Sequence, residues 1–232
     1  MAIEIVSSEE LLRTSGVKIL LYGQSGVGKS SQFKYTGKTL IISTEKGELA
    51  LAGSNNDIDV ARVSTMMEFK EAFKYAKDNT DKYDTIGIDS VSDISEIIVA
   101  HLKKDPEFAS MKESFKLWMR YTEIMDAVAK SFRDLENVNV ILIALEESVK
   151  NGFEEKKSPM ISGKKTQSKL PQFYDEVLRL TIDEGGNRVF VTQPTADSEG
   201  KDRSGSLEPV ESCTIKDGIS TIINKINKKI KG

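Results

Sequence analysis

Short, nearly continuous apolar runs alternate with amphipathic stretches through the first two thirds of the chain. The runs are residues 17–22 (VKILLY), 39–43 (TLIIS), 59–64 (DVARVS), 84–89 (DTIGID) and 138–145 (VNVILIAL), the last being the most apolar. Runs this short, bounded by glycine or polar residues, predict strands buried on both faces. Between them the apolar spacing changes to that of helices. A short helix is expected over 29–35. A longer one opens at a capping box of Thr65 and Glu68 and runs to about Asn79, with Phe69, Ala72, Phe73 and Ala76 on one face. Helices are also expected over 91–104 and, beyond the break at Pro106, over 112–135, where Leu117, Tyr121, Ile124 and Val128 recur at helical spacing.

After residue 145 the pattern changes. Residues 150–169 are polar and lysine-rich, interrupted by Gly152, Pro159 and Gly163, and read as a long loop or a small hairpin. Residues 176–183 and 188–193 alternate apolar and polar around Gly185, Gly186 and Asn187, which predicts an antiparallel hairpin. A polar loop over 195–207 follows. The tail over 217–231 sets Ile219, Ile222, Ile223, Ile226 and Ile230 against Lys225, Lys228, Lys229 and Lys231. Strands alternating with helices and then a hairpin imply an α/β fold, a mainly parallel sheet flanked by helices with the antiparallel hairpin at one side. The expected organisation is a core over residues 1–210 and a basic amphipathic helix over 211–232, with no internal repeats.

Composition narrows the function classes. The chain has 232 residues, enough for one α/β domain; 38% are hydrophobic and 30% charged, as in an ordinary soluble protein. No apolar run approaches the roughly 18 residues of a membrane span, and the first ten residues lack the pattern of a signal peptide, so a cytoplasmic protein is expected, in the host cytoplasm if phage-encoded. A single cysteine, Cys213, excludes an intramolecular disulfide and a multi-cysteine zinc site, and the single histidine, His101, has no clustered ligands around it. With a net charge of −3, any nucleic-acid contact must come from a local basic patch.

The most specific motif follows the first strand. Gly23-Gln24-Ser25-Gly26-Val27-Gly28-Lys29-Ser30 fits G-x-x-x-x-G-K-[ST] at every fixed position, with Ser31 next. Glycines let backbone N–H groups approach phosphate oxygens, Lys29 suits the β- and γ-phosphates, and the Ser30 hydroxyl suits Mg²⁺. A buried strand before the loop and a helix after it are the context this motif needs. The expected ligands are ATP and Mg²⁺. Asp89, at the end of an apolar strand, is a second candidate for the metal; it can equally cap the helix that follows. Glu45, just past the second strand, is a candidate to polarise an attacking water, although a carboxylate after a strand is common.

Taken together, these pieces resemble the RecA-like core ATPases, and among them the small phage recombinases of the Sak type that act with single-stranded DNA. The matching pieces are residues 23–30, Ser43-Thr44-Glu45-Lys46-Gly47, Ile88-Asp89-Ser90, Pro159-Met160-Ile161-Ser162-Gly163, Asp175 before the hairpin, and Lys201-Asp202-Arg203. The resemblance covers about residues 17–210. It implies that Glu45 is the catalytic glutamate. It also implies that Lys201 and Arg203 form a paired cationic finger acting on the γ-phosphate of a neighbouring subunit, which requires a ring or filament. Read alone, Lys201 and Arg203 are two solvated charges on a polar loop. One departure stands out: where such proteins often carry a polar γ-phosphate sensor, this chain has Glu146 and Glu147, which cannot donate a hydrogen bond when ionised.

Between residues 150 and 169 six lysines (Lys150, Lys156, Lys157, Lys164, Lys165, Lys169) oppose Glu154 and Glu155, a local excess of four positive charges around Phe153. Lysines that track phosphates beside an aromatic that stacks a base describe a single-strand site, although such loops are often only solvated. The resemblance implies single-stranded DNA contact at this position. The resulting expectation is a DNA-dependent ATPase that oligomerises on single strands and promotes annealing or pairing in phage homologous recombination, with a single-strand-binding protein as a further candidate partner. The alternatives are a P-loop kinase, which usually needs an arginine-rich lid not evident here, and an ATP-switched helicase loader or partition-type binding protein.

Overall fold

The computed structural model describes residues 6–7, 16–45, 47–54, 57–108, 114–151, 154–214 and 216–231. The strands are β1 (Lys18–Gly23), β2 (Thr39–Ser43), β3 (Ile58–Arg62), β4 (Thr85–Asp89), β5 (Asn139–Asn151), β6 (Glu154–Pro159), β7 (Glu176–Ile182), β8 (Arg188–Val191), β9 (Lys201–Asp202) and β10 (Val210–Ser212). The α-helices are α1 (Met66–Asp78), α2 (Val91–Lys103), α3 (Ser114–Arg133), α4 (Lys164–Lys169) and α5 (Ser220–Lys231).

One sheet runs in the order β10-β8-β7-β1-β5-β4-β2-β3, with β6 added to β5 and β9 to β7. Strands β7, β1, β5, β4, β2 and β3 are mutually parallel; β8, β10, β6 and β9 join antiparallel. The α/β class with a mainly parallel sheet and an antiparallel addition is therefore as the apolar pattern implies. Every residue of β1, β2 and β4 is buried, which explains their unbroken apolar character.

The two faces carry separate cores. Leu20, Tyr22, Ile42, Ile88 and Leu142 face α1, α2 and α3, while Ile19, Leu21, Ile141 and Ile143 face the other way onto α5. The capping box forms as expected: the Glu68 N–H donates to Thr65 Oγ1, and Glu68 Oε2 accepts from the Thr65 N–H. Ile219, Ile222, Ile223 and Ile226 at α5 are at most 7% exposed. Burying such a side chain fully contributes roughly 1.5–3 kcal/mol, so the tail is held by its apolar face. Its lysines are also engaged: Lys225 reaches Glu211 at 2.7 Å and Lys229 the Gly205 carbonyl at 2.7 Å.

Several boundaries differ from the sequence expectation. The short helix expected after residue 29 is present as a 3-10 helix, Ser30–Tyr35. Strand β5 continues six residues past Leu145, because β6 pairs with its extension from Glu146 onward. Of the two readings of residues 150–169, the small hairpin holds for their first part, and α4 follows it. The polar stretch over 195–207 contains β9, whose two residues pair with Glu176 and Val177 of β7.

Glu176 is a carboxyl group fully buried at the start of β7, with Oε1 accepting from the Ser204 N–H and Oε2 unpartnered. Burial, reinforced by Asp202 opposite it, pushes its pKa up from 4.5 to about 7. The native state then binds a proton more tightly than the unfolded chain. Its contribution to stability is complete below pH 4.5 and is lost as pH rises through about 7. Glu176→Gln, which mimics the protonated form, should therefore gain about 2–3 kcal/mol relative to wild type between pH 5 and pH 8. Denaturant unfolding at the two pH values checks this, and a pH-independent difference would contradict it.

Candidate nucleotide site

Because the central strands are parallel, the ends of β1, β2, β4 and β5 gather at one edge of the sheet, the usual place for a ligand in such a fold. Strand β1 delivers loop 23–30, β2 delivers Glu45, β4 ends on Asp89 and β5 carries Glu146.

Packing sets the position of the loop. Phe33, in the 3-10 helix, is fully buried in the face of β4, where a Cβ on Gly87 would lie 2.3 Å from its ring. The bare glycine lets that helix settle against the strand whose end is Asp89, and the Ser30 hydroxyl lies near enough to the Asp89 carboxylate to lower its proton affinity. Gly26 and Gly28 have φ of +78° and +100°, a backbone region that other residues rarely adopt. A Cβ at Gly26 would meet nothing within 4 Å, so the turn faces open space.

Lys29 is 7% exposed, and its Nζ donates to the carbonyls of Gly23 at 2.9 Å and Gln24 at 2.8 Å. The lysine thus folds over its own loop. Burial holds its pKa below the ordinary lysine value, against the opposing pull of Asp89, Glu45 and Glu146. Glu45 is solvent-exposed, yet it feels the same group of charges. Partial burial, then Asp89 and Asp93, raise its pKa, while Lys29 lowers it. Asp89 is raised chiefly by burial, with Ser30 and Lys29 acting the other way.

Thr44 ties the second strand to the fourth. Its N–H donates to the Asp89 carbonyl at 2.8 Å, and its hydroxyl lies 2.8 Å from Asp93 Oδ2 and accepts from the Ser90 N–H at 3.0 Å. Ser90 is the cap of α2, accepting from the Asp93 N–H at 3.3 Å. The capping role therefore falls to Ser90, one residue on, which leaves Asp89 turned toward Ser30. Lys46 lies outside the described residues.

Two arginines complete the surroundings without having been singled out by motif. Arg188 of β8 donates from Nε to the Val27 carbonyl at 2.9 Å, over the bare face of Gly28. Arg179 of β7 pairs with Glu146, Nε to Oε2 at 2.7 Å. Glu146, at the position where a sensing residue is expected, is thereby committed to a guanidinium. Arg179 left one trace in the sequence, a charge on the strand face that carries Val177, whereas Arg188, an exposed residue at the start of β8, left none.

Lys201 and Arg203 are held by residues 171–175 of their own chain. Lys201 Nζ donates to the Tyr174 carbonyl at 2.5 Å, and Arg203 Nη1 to Asp175 Oδ1 at 2.8 Å. Strand β9 pairs with Glu176 and Val177, level with Ile19 and Leu20, so it lies toward the start of β1 and away from the loop at its end.

The lysines are dispersed. Lys150 is exposed on the β5 extension, 3.9 Å from Glu155, and Lys157 on β6 is bonded to Ser148 Oγ at 2.5 Å. Lys156 is half-buried, Lys164 and Lys165 are exposed on α4, and Lys169 is paired with Asp126 beside the Phe173 ring. Phe153 lies outside the described residues.

These oxygens suit a hard cation: a hydroxyl from Ser30 and a carboxylate from Asp89. Among the described residues no group of three or more His, Cys, Asp or Glu forms a metal cage, so Mg²⁺ would be held jointly with phosphate oxygens. Nor, among those residues, is any helix long and apolar enough to cross a membrane.

A family model described as "AAA domain" matches residues 15–204. Among curated proteins, the SPbeta prophage-derived uncharacterized protein YorG of Bacillus subtilis (strain 168) is 26% identical over 141 residues. That match covers 56% of this chain and 42% of YorG, so the chain spans less than half of that relative's length. Among solved structures, a KaiC-like protein of Pyrococcus horikoshii OT3 aligns over 76% of this chain and 77% of its own, at 14% identity and a TM-score of 0.43. The flagellar accessory protein FlaH of Methanocaldococcus jannaschii aligns over 88% of both chains, at 13% identity and a TM-score of 0.43.

Proposed function

Since the chain belongs to the AAA domain family, we propose that it is an ATPase that assembles on single-stranded DNA and promotes annealing or pairing of strands in phage recombination. The observation that carries the ATPase reading is the convergence of Lys29, Ser30, Asp89 and Glu45 at one edge of the sheet, with Ser30 beside Asp89 and all three carboxylate and ammonium charges in mutual range.

In this reading the amides of Gly23, Gln24, Ser25, Gly26, Val27 and Gly28, with Ser31, surround the phosphates. Lys29 exchanges the Gly23 and Gln24 carbonyls for phosphate oxygens, to which an ammonium binds more strongly. Ser30 and Asp89 hold Mg²⁺, which when bound neutralises charge on the phosphate oxygens. Glu45 accepts a proton from the attacking water as the water oxygen bonds to the γ-phosphorus and the bond to the bridging oxygen breaks. Its raised pKa is consistent with a base, and partial exposure leaves it accessible to water. Lys201 and Arg203 act across an interface on a neighbouring subunit's nucleotide, which is supported by their distance along the sheet from their own loop and by the value of cations there.

Single-stranded DNA is assigned to the hairpin β5–β6 and α4, through Lys150, Lys156, Lys157, Lys164, Lys165 and Lys169, together with Phe153. Lys164 and Lys165 are the freest of these; Lys169 contributes least, being paired with Asp126. A prophage-derived relative fits the recombination setting. The test is phosphate release with and without a single-stranded oligonucleotide, alongside particle size by light scattering. Turnover should rise together with a shift to multimers. Turnover indifferent to DNA, in a monomer, would exclude this reading.

A further inference from the structure

The ion pair between Glu146 and Arg179 has no part in the phosphate chemistry above, yet it sits where that chemistry meets the hairpin. Arg179 stands beside Tyr22 on one flank of β1; Glu146 follows Leu145, the partner of Gly23, on the other. The two side chains therefore join across the end of β1, where the chain turns into loop 23–30. Arg179 Nε reaches Glu146 Oε2 at 2.7 Å and Nη2 reaches Oε1 at 3.3 Å, with the side chains only 13% and 3% exposed. Glu146 is also the first residue of β5 to pair with β6, opposite Pro159, so it forms the root of the hairpin. Tyr22, next to Gly23, adds a second tie: its hydroxyl lies 3.2 Å from the Lys157 carbonyl and 2.5 Å from that of Glu199.

Lys29 lies within the field of Glu146. A triphosphate drawn onto Lys29 brings several negative charges toward a carboxylate that can only accept hydrogen bonds. The same charges attract the guanidinium, whose planar fork matches phosphate as well as it matches carboxylate. A diphosphate lacks the outermost group and leaves the pair undisturbed.

We propose that Glu146 and Arg179 form an exchangeable clasp: Arg179 turns from Glu146 to the terminal phosphate of a bound triphosphate, and Glu146, once released, loosens the root of the lysine-bearing hairpin. The proposal rests on the nucleotide-binding reading of loop 23–30. It gives the chain a way to tell triphosphate from diphosphate although Glu146 itself cannot donate. By reciprocity, any ligand that favours the loosened hairpin raises affinity for triphosphate by the same factor. A purely structural ion pair would affect unfolding but not this discrimination.

The experiment uses the full chain as wild type, Glu146→Gln and Arg179→Gln, with Mg²⁺ and either ADP or a non-hydrolysable ATP analogue. Dissociation constants and hydrogen exchange of the backbone amides of residues 146–159 are measured in both states. In wild type the hairpin amides should exchange faster with the analogue than with ADP. Glu146→Gln should raise the preference for the analogue over ADP by about tenfold, and Arg179→Gln should lower it by about tenfold. Both variants should abolish the difference in exchange. Arg179→Lys, which keeps the charge and a contact to Glu146, serves if Arg179→Gln does not fold, and should lower the preference less. Preferences within twofold of wild type in folded variants, with the exchange difference intact, would overturn the clasp alone. Wild type that binds neither nucleotide would overturn the nucleotide-binding reading, and the clasp with it.

Discussion

Lys29→Ala is expected to lower ATP turnover by at least about a hundredfold, the scale of removing one preorganised charge from a transition state. The reason extends beyond the loss of one contact. Lys29 is the cation that offsets Asp89 and Glu45, and without it those two carboxylates stand uncompensated beside the phosphates. Nucleotide binding should weaken along with turnover. The proton affinity of Glu45 should also climb further, since Lys29 is what holds it down. Glu45→Gln provides the contrast: turnover should collapse while nucleotide affinity holds or improves, because a negative charge leaves the site. Steady-state phosphate release and titration with a fluorescent nucleotide separate the two. Wild-type turnover in Lys29→Ala would remove the assignment of loop 23–30.

Reversing Lys156, Lys157, Lys164 and Lys165 to Glu should cut single-strand affinity by at least about a thousandfold at low salt. It should also flatten the dependence of log K on log salt by roughly 3, from about 0.7 per phosphate neutralised. Lys164 and Lys165 should account for most of the loss, being exposed on α4, whereas Lys157 is already bonded to Ser148 and lies beside Glu155. Reversal at 157 sets like charges side by side, so a parallel variant with Gln at all four positions separates charge loss from hairpin disruption. Fluorescence anisotropy of a labelled oligonucleotide across a salt series provides the measurement. Unchanged affinity and slope in both variants would place the strand elsewhere.

The elements with strong local signatures were legible from sequence. The Thr65–Glu68 box opens α1 because both of its hydrogen bonds lie within four residues, and the hairpin β7–β8 follows from alternation around two glycines. Less legible were the extension of β5 and the short strand β9. Both owe their structure to a partner strand and not to their own composition: a polar stretch such as Glu146–Glu147–Ser148 reads as loop until β6 is known to pair with it. Asp89 presents the same ambiguity on a smaller scale. On sequence grounds it could hold a metal or cap α2, and the side-chain bond at Ser90 gives the cap to its neighbour.

Loop 23–30, the alternation of buried strands with helices, and the carboxylates placed just after strands all follow from residues close together in the chain, where backbone geometry leaves few choices. The seating of Phe33 on Gly87 and the joining of Glu146 to Arg179 across β1 depend on which strands became neighbours. So does the placement of Arg188 over Gly28. Strand order follows from how the buried parallel strands share two cores, and equally apolar runs carry no mark of which should lie beside which. The partners of the charged residues near the site could therefore be assigned only once the sheet was assembled.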